Sequence, residues 1–127
     1  MAYLEHVNLT SSDPDRFAEL MCDLFDWQVR WRGDATQGGH TIHVGEERSY
    51  IAVYTKGAQD AAMISSYETP GGLNHIAIVV DDLDAVEARV KAAGYTTENH
   101  ADYEPGRRFY FREDDGIEVE VVSYAPD

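Results

Sequence analysis

The sequence predicts an α+β fold of two tandem βαβββ modules, and three observations carry that expectation. The order strand, helix, three strands is read once before residue 56 and again after residue 72. Its landmarks recur at a fixed offset: Leu4-Glu5-His6-Val7 matches Leu73-Asn74-His75-Ile76, and Asp13 matches Asp82, an offset of 69 residues for both (75 − 6 and 82 − 13). Finally, residues 109–122, FYFREDDGIEVEVV, read as two short strands around Asp114-Asp115-Gly116, and Asp-Gly flanked by alternating apolar residues is a strong hairpin signal. Module 1 covers about residues 1–55, a linker about 56–72 and module 2 about 73–127, within a single domain.

In module 1, residues 3–10 alternate as a strand, with Val7 and Leu9 on one face and His6, Asn8 and Thr10 on the other. Asp13-Pro14 then supplies an N-cap and a first-turn proline. Phe17, Leu20, Met21, Leu24 and Phe25 follow as one apolar stripe on a helix of about three turns. Residues 27–32 alternate, Gly38-Gly39 breaks the chain, and residues 40–44 and 49–55 supply two more strands. Residues 56–72 lack periodicity and end in Pro-Gly-Gly, the mark of a linker.

In module 2, residues 73–81 form a strand with Ile76, Ile78 and Val80 on one face and His75, Ala77 and Val79 on the other. Asp81 or Asp82 caps a helix whose Leu83, Val86 and Val90 face inward, and Gly94 stands where a C-cap glycine belongs. Residues 95–99, 107–112 and 117–124 complete the strands. In the last of these, Ile117, Val119 and Val121 point one way, and Glu118, Glu120 and Val122 the other.

A formal net charge of −14 argues against nucleic acid and anionic membrane as partners, because both would be repelled. The one cysteine, Cys22, excludes an internal disulfide and reads as a small apolar residue of the first helix. No run approaches the roughly 18 apolar residues of a membrane span, and the first residues lack a signal-peptide pattern, so a cytoplasmic protein is expected.

The repeat, the histidine in the first strand of each module and the closing FYF-x-x-D-D-G-I-E-V-E-V resemble the vicinal oxygen chelate superfamily, which holds glyoxalase I, bleomycin- and fosfomycin-resistance proteins and extradiol dioxygenases. The resemblance covers nearly the whole chain. It implies a cupped, half-open barrel with helices outside and a divalent metal ion (iron, manganese, zinc or nickel) held by His6, His75 and Glu120. Glu120 fits as the glutamate four residues after the turn glycine, Gly116, and Glu118 is then a rim carboxylate. Two imidazoles and one carboxylate leave coordination positions open, as a catalytic site requires.

Four-ligand members such as glyoxalase I carry a second glutamate where this chain has Ala52, so the remaining set resembles extradiol dioxygenases and fosfomycin-resistance transferases. Tyr110, with the parity of Glu120, is expected to point into the cup as a substrate contact or an aromatic wall, and His100 is a candidate acid/base residue, against the alternative of a surface-loop histidine. Arg107 and Arg108 are strand arginines able to meet an acidic substrate, and of His40 and His43 at most one enters the cup. The expected function is a metal-dependent enzyme acting on a vicinally oxygenated small molecule, by ring-cleaving dioxygenase or glyoxalase-like lyase or isomerase chemistry. The alternative is a metal-free small-molecule-binding protein of the bleomycin-resistance kind. The family habit and the long linker add the expectation of a homodimer, in which modules exchange between chains.

Overall fold

A computed structural model describes residues 1–56, 67–103 and 106–125, so residues 57–66 of the expected linker lie outside the described residues. The chain divides into two compact units, Met1–Ala61 and Ala62–Asp127. Among the described residues each holds one α-helix and one four-stranded sheet.

Unit 1 runs β1 (His6–Thr10), α1 (Pro14–Phe25), β2 (Gln28–Asp34), a single 3-10 turn (Thr36–Gly38), β3 (His40–Gly45) and β4 (Tyr50–Thr55). The Asp13 carboxylate accepts the Arg16 N–H at 3.1 Å and Pro14 occupies the first turn, so two of the causes of helix initiation act together. The helix stops at Asp26, which adopts a left-handed φ of 61° and returns its N–H to the Cys22 carbonyl. Phe17, Ala18, Met21 and Leu24 are buried against Ile42, Val44, Ile51 and Val53 of the sheet. Strand order is β1-β4-β3-β2, with β1 parallel to β4 and the other pairs antiparallel.

Unit 2 repeats the plan with β5 (Ile76–Val79), α2 (Leu83–Ala92), β6 (Glu98–Tyr103), β7 (Gly106–Arg112) and β8 (Glu118–Ser123), ordered β5-β8-β7-β6. The helix is capped by Asp82, not Asp81: its carboxylate accepts the Ala85 N–H at 3.1 Å. Leu83, Val86 and Val90 bury against Phe109, Phe111, Val119 and Val121. Of the linker, residues 67–72 form turns that lead into β5.

The turn between β7 and β8 sets the register of the carboxylate-bearing strand. Gly116 takes φ 84°, open to glycine, and donates its N–H to the Glu113 carbonyl. The buried Glu113 side chain accepts the N–H groups of Asp115 and Ile117 at 2.7 and 3.0 Å. Backbone donors that the turn would otherwise leave unpaired are therefore satisfied. Tyr110 then pairs with Glu120, Phe109 with Val121 and Phe111 with Val119. Alternate residues face α2, and the others face away from it.

Strict alternation fails in two strands. On β6, Glu98 pairs with Tyr110 but Ala101 pairs with Arg108, so three steps on one strand oppose two on the other. This is a bulge, with Asn99 at φ 54°. A matching shift falls between Val29 and Trp31 on β2. The strand expected at residues 95–99 accordingly begins later, at Glu98.

Candidate functional site

Glu120 is the centre of the helix-free face of unit 2. It lies on β8 between Ala77 of β5 and Tyr110 of β7, and only 7% of its surface is exposed. The Tyr110 hydroxyl donates to its Oε1 at 2.7 Å, and the Arg108 guanidinium lies 3.4 Å from its Oε2. His75 immediately precedes β5 and brings its Nε2 to 3.3 Å from the same Oε1. The imidazole meets the Tyr110 ring edge-on. The hydrogen bond to Glu120, with burial and the carboxylate's charge, pushes the Tyr110 pKa up to about 12, so its phenol stays a donor.

Glu118, two residues earlier on the same face, is no rim carboxylate. It is 8% exposed, accepts the Tyr67 hydroxyl at 2.8 Å and lies 3.3 Å from the Arg112 guanidinium. Tyr67 comes from the segment read as linker, and its oxygen also lies 3.4 Å from His75 Nδ1. Its pKa is raised, first by the bond to Glu118 and then by burial. The aperiodic sequence around Tyr67 gave no signal for this contact.

His100 stands elsewhere. The bulge turns it to the α2 side, where its Nε2 is 2.6 Å from Glu87 and its ring lies against Phe109. Arg107 shares that side and pairs with Asp84 at 3.0 Å. Burial pushes the Glu87 carboxyl up, but hydrogen bonds from Thr97 and His100 and the charges of His100 and Lys91 outweigh it, and its pKa is lowered. A depressed carboxylate pKa contributes stability above the unfolded value, lost as pH falls through the folded one. Glu87→Gln is therefore expected to flatten the acid limb of the stability curve below about pH 4.5. Urea midpoints from pH 2 to 7 check this, and equal midpoint losses in both proteins across the limb would contradict it.

In unit 1, His6 is exposed, and its Nδ1 is 2.9 Å from Glu5 Oε1. On the helix-free face its ring stacks with Tyr50 at 4.7 Å, and His43 stacks on Tyr50 at 4.6 Å. Trp31 leans on His43, and Arg30 lies over the Tyr50 ring at 4.4 Å. His43 is thus the residue of the His40 and His43 pair that joins His6. Burial, and then the charges of His6 and Arg30, lower its pKa. The register places Ala52 opposite Asn8 and His43, as Glu120 stands opposite Ala77 and Tyr110. Ala52 is therefore the unit 1 counterpart of Glu120, and His43 that of Tyr110. A separate cleft in unit 1 is lined by Asp26, Gln28, Arg30, Gly45, Glu46 and Glu47, none of which is an expected site residue.

The chemistry of the donors in unit 2 fits a divalent ion. Zinc–nitrogen and zinc–oxygen bonds of about 2.0–2.2 Å place neighbouring ligands roughly 3–3.5 Å apart, and His75 Nε2 and Glu120 Oε1 have that spacing. Among the described residues no group of three His, Cys, Asp or Glu side chains assembles for a metal within either unit. No described helix is long and apolar enough to cross a membrane.

Each unit thus carries a histidine at the start of its first strand, His6 within β1 and His75 just before β5. The chain belongs to the Glyoxalase/Bleomycin resistance protein/Dioxygenase superfamily, whose model matches residues 3–121. Comparison with solved structures agrees. A glyoxylase/bleomycin resistance protein/dioxygenase domain from Frankia sp. EAN1pec superposes with a TM-score of 0.81 at 22% identity, over 97% of this chain and 98% of that one. The fosfomycin resistance protein FosX from Listeria monocytogenes gives 0.74 at 18% identity, over 96% and 93% of the two chains. FosX from Mesorhizobium loti gives 0.70 at 20%, over 96% and 91%. One structure of the Listeria protein is a complex with Mn(II) and sulfate. No curated protein matches the chain.

Proposed function

We propose that this chain is a divalent-metal-dependent enzyme acting on a small molecule with adjacent oxygens, and that His6, His75 and Glu120 hold the metal. The observation that carries the reading is the pairing of His75 Nε2 with Glu120 Oε1 at 3.3 Å on a buried polar surface. The Mn(II) complex of the Listeria FosX supports a metal in this family, and His6 enters the set on the family's pattern. When bound, the ion supplies Lewis acidity to chelated substrate oxygens.

The protein's own contributions follow from the contacts. Arg108 offsets the Glu120 charge and orients the carboxylate. Tyr110 donates its proton to Glu120 Oε1 and so holds that oxygen in place. With Ala52 at the position of a second glutamate, unit 1 offers no carboxylate there to abstract a proton, and this favours ring-cleaving dioxygenase chemistry over a glyoxalase-like lyase or isomerase. A homodimer and a cytoplasmic location remain part of the proposal.

A second reading, a metal-free binding protein, is favoured by one observation. Both buried carboxylates already face guanidinium groups, Arg108 for Glu120 and Arg112 for Glu118, so each is compensated without a cation. Metal content of protein purified without chelator separates the two. The enzyme reading expects about one ion per chain, in the manner of an open catalytic site, and loss of that ion in both His6→Ala and His75→Ala. A metal-free wild type, even after incubation with iron(II), manganese(II) and zinc(II), would leave the binding-protein reading in its place.

A further inference from the structure

Strand register and one glycine build a row of rings on the helix-free face of unit 1. His43 of β3 stands between Trp31 of β2 and Ala52 of β4, and Tyr50 of β4 stands opposite His6 of β1. The rings of His43 and Tyr50 stack at 4.6 Å and 26°, and Trp31 closes the row at 5.1 Å from His43. Both separations lie in the range of interacting aromatic pairs. Gly33 makes room for the indole, because a Cβ there would stand 2.7 Å from the Trp31 ring. Trp31 is nonetheless 50% exposed. A large ring seated over a glycine and half open to solvent is informative, since packing buries most tryptophans to a high degree.

Arg30 adds a charge to the row. The shift on β2 brings its guanidinium over the Tyr50 ring at 4.4 Å, and it forms no ion pair among the described residues. In a chain of net charge −14 that stands out, for Arg32 is paired with Asp15 and Arg48 with Glu46. Glu5 is turned to His6 and Tyr50, and Glu46, which lines a cleft with Arg30, also accepts the Ser49 N–H. A guanidinium held over a ring keeps in-plane N–H donors, and a carboxylate accepts two of them in parallel.

We propose that this face is a binding site for a planar aromatic carboxylate, its ring stacked along Trp31 and His43 and its carboxylate on Arg30. Selectivity comes from the two contacts together. The rings alone would take any planar molecule, and an exposed guanidinium alone holds an anion weakly. All four residues belong to unit 1, so the site stands apart from the metal-site reading and serves an enzyme and a metal-free binding protein alike.

The test titrates naphthoate into the full chain in low-salt buffer, read by tryptophan fluorescence and by the NMR shifts of Trp31, His43 and Tyr50. Naphthamide, which lacks the charge, and cyclohexanecarboxylate, which lacks the planar ring, serve as comparisons. Trp31 and Arg30 are exposed, so Trp31→Ala and Arg30→Gln keep the fold. Naphthoate is expected to bind more tightly than either comparison and to shift the three ring signals. Trp31→Ala is expected to weaken it about tenfold through the lost stacking. Arg30→Gln is expected to weaken it about fivefold, by less as salt is added. Gly33→Ala, which keeps the indole but displaces it, is expected to fall between the wild type and Trp31→Ala. No binding of naphthoate at millimolar concentration, an affinity unchanged in Trp31→Ala, or an amide bound as tightly as the acid would overturn the proposal.

Discussion

Glu120→Ala is expected to abolish metal uptake and to destabilise unit 2 by about 2–4 kcal/mol, less than or near the range for breaking a buried ion pair. Both effects come from one side chain. The carboxylate contributes one of the proposed metal ligands, and no neighbouring group replaces it, since Glu118 is engaged by Tyr67 and Arg112. Its loss also leaves Tyr110 without its acceptor and removes the partner of Arg108, whose side chain is 11% exposed. Arg108 keeps the Gly106 carbonyl, which tempers the cost. Glu120→Gln separates the terms: it retains a hydrogen-bonding oxygen for Tyr110 and is expected to cost about 1 kcal/mol while still losing the metal. Urea unfolding and metal analysis of both variants measure the two effects. Full metal occupancy in Glu120→Ala would contradict the assignment.

Phe111→Ala carries the other large effect, on stability. Phe111 is 0% exposed on β7, opposite Val119, with Tyr95 against its ring. Truncating a buried phenylalanine removes its transfer free energy and leaves a cavity, together about 3–5 kcal/mol. The urea midpoint should fall with an unchanged slope, because the surface exposed on unfolding is nearly the same. Phe111 is next to Tyr110 on the strand, so metal affinity should weaken as well, by less than in Glu120→Ala. An unfolding free energy within about 0.5 kcal/mol of the wild type would contradict the core assignment.

Much of the fold was legible because its signals are local. Alternation, Asp-Pro and Asp caps, and the Asp-Gly turn each act within a few residues, and the alternation and the capping Asp recur in both modules, at Asp13 and Asp82. The parity that joined Tyr110 to Glu120 survives because β7 and β8 pair without a bulge. His100 shows the limit. Counting by twos would put it on Tyr110's face, and one extra residue at Asn99 turns it to Glu87 on α2. Arg30 and Trp31 illustrate the same effect, since the shift on β2 brings both toward the ring cluster. Tyr67 was illegible for another reason. Its partners are distant in sequence, and a segment without periodicity gives no face to assign. Glu118 looked like a solvated carboxylate because only Tyr67 and Arg112 together make its burial tolerable.

The central claim is that His75 and Glu120 share one metal ion. Anomalous diffraction from crystals grown with manganese(II) tests it most directly. The account predicts an anomalous peak bonded to His75 Nε2, Glu120 Oε1 and a His6 imidazole. A peak bound only to other side chains, or none with Glu120 still held by Tyr110 and Arg108, would contradict it.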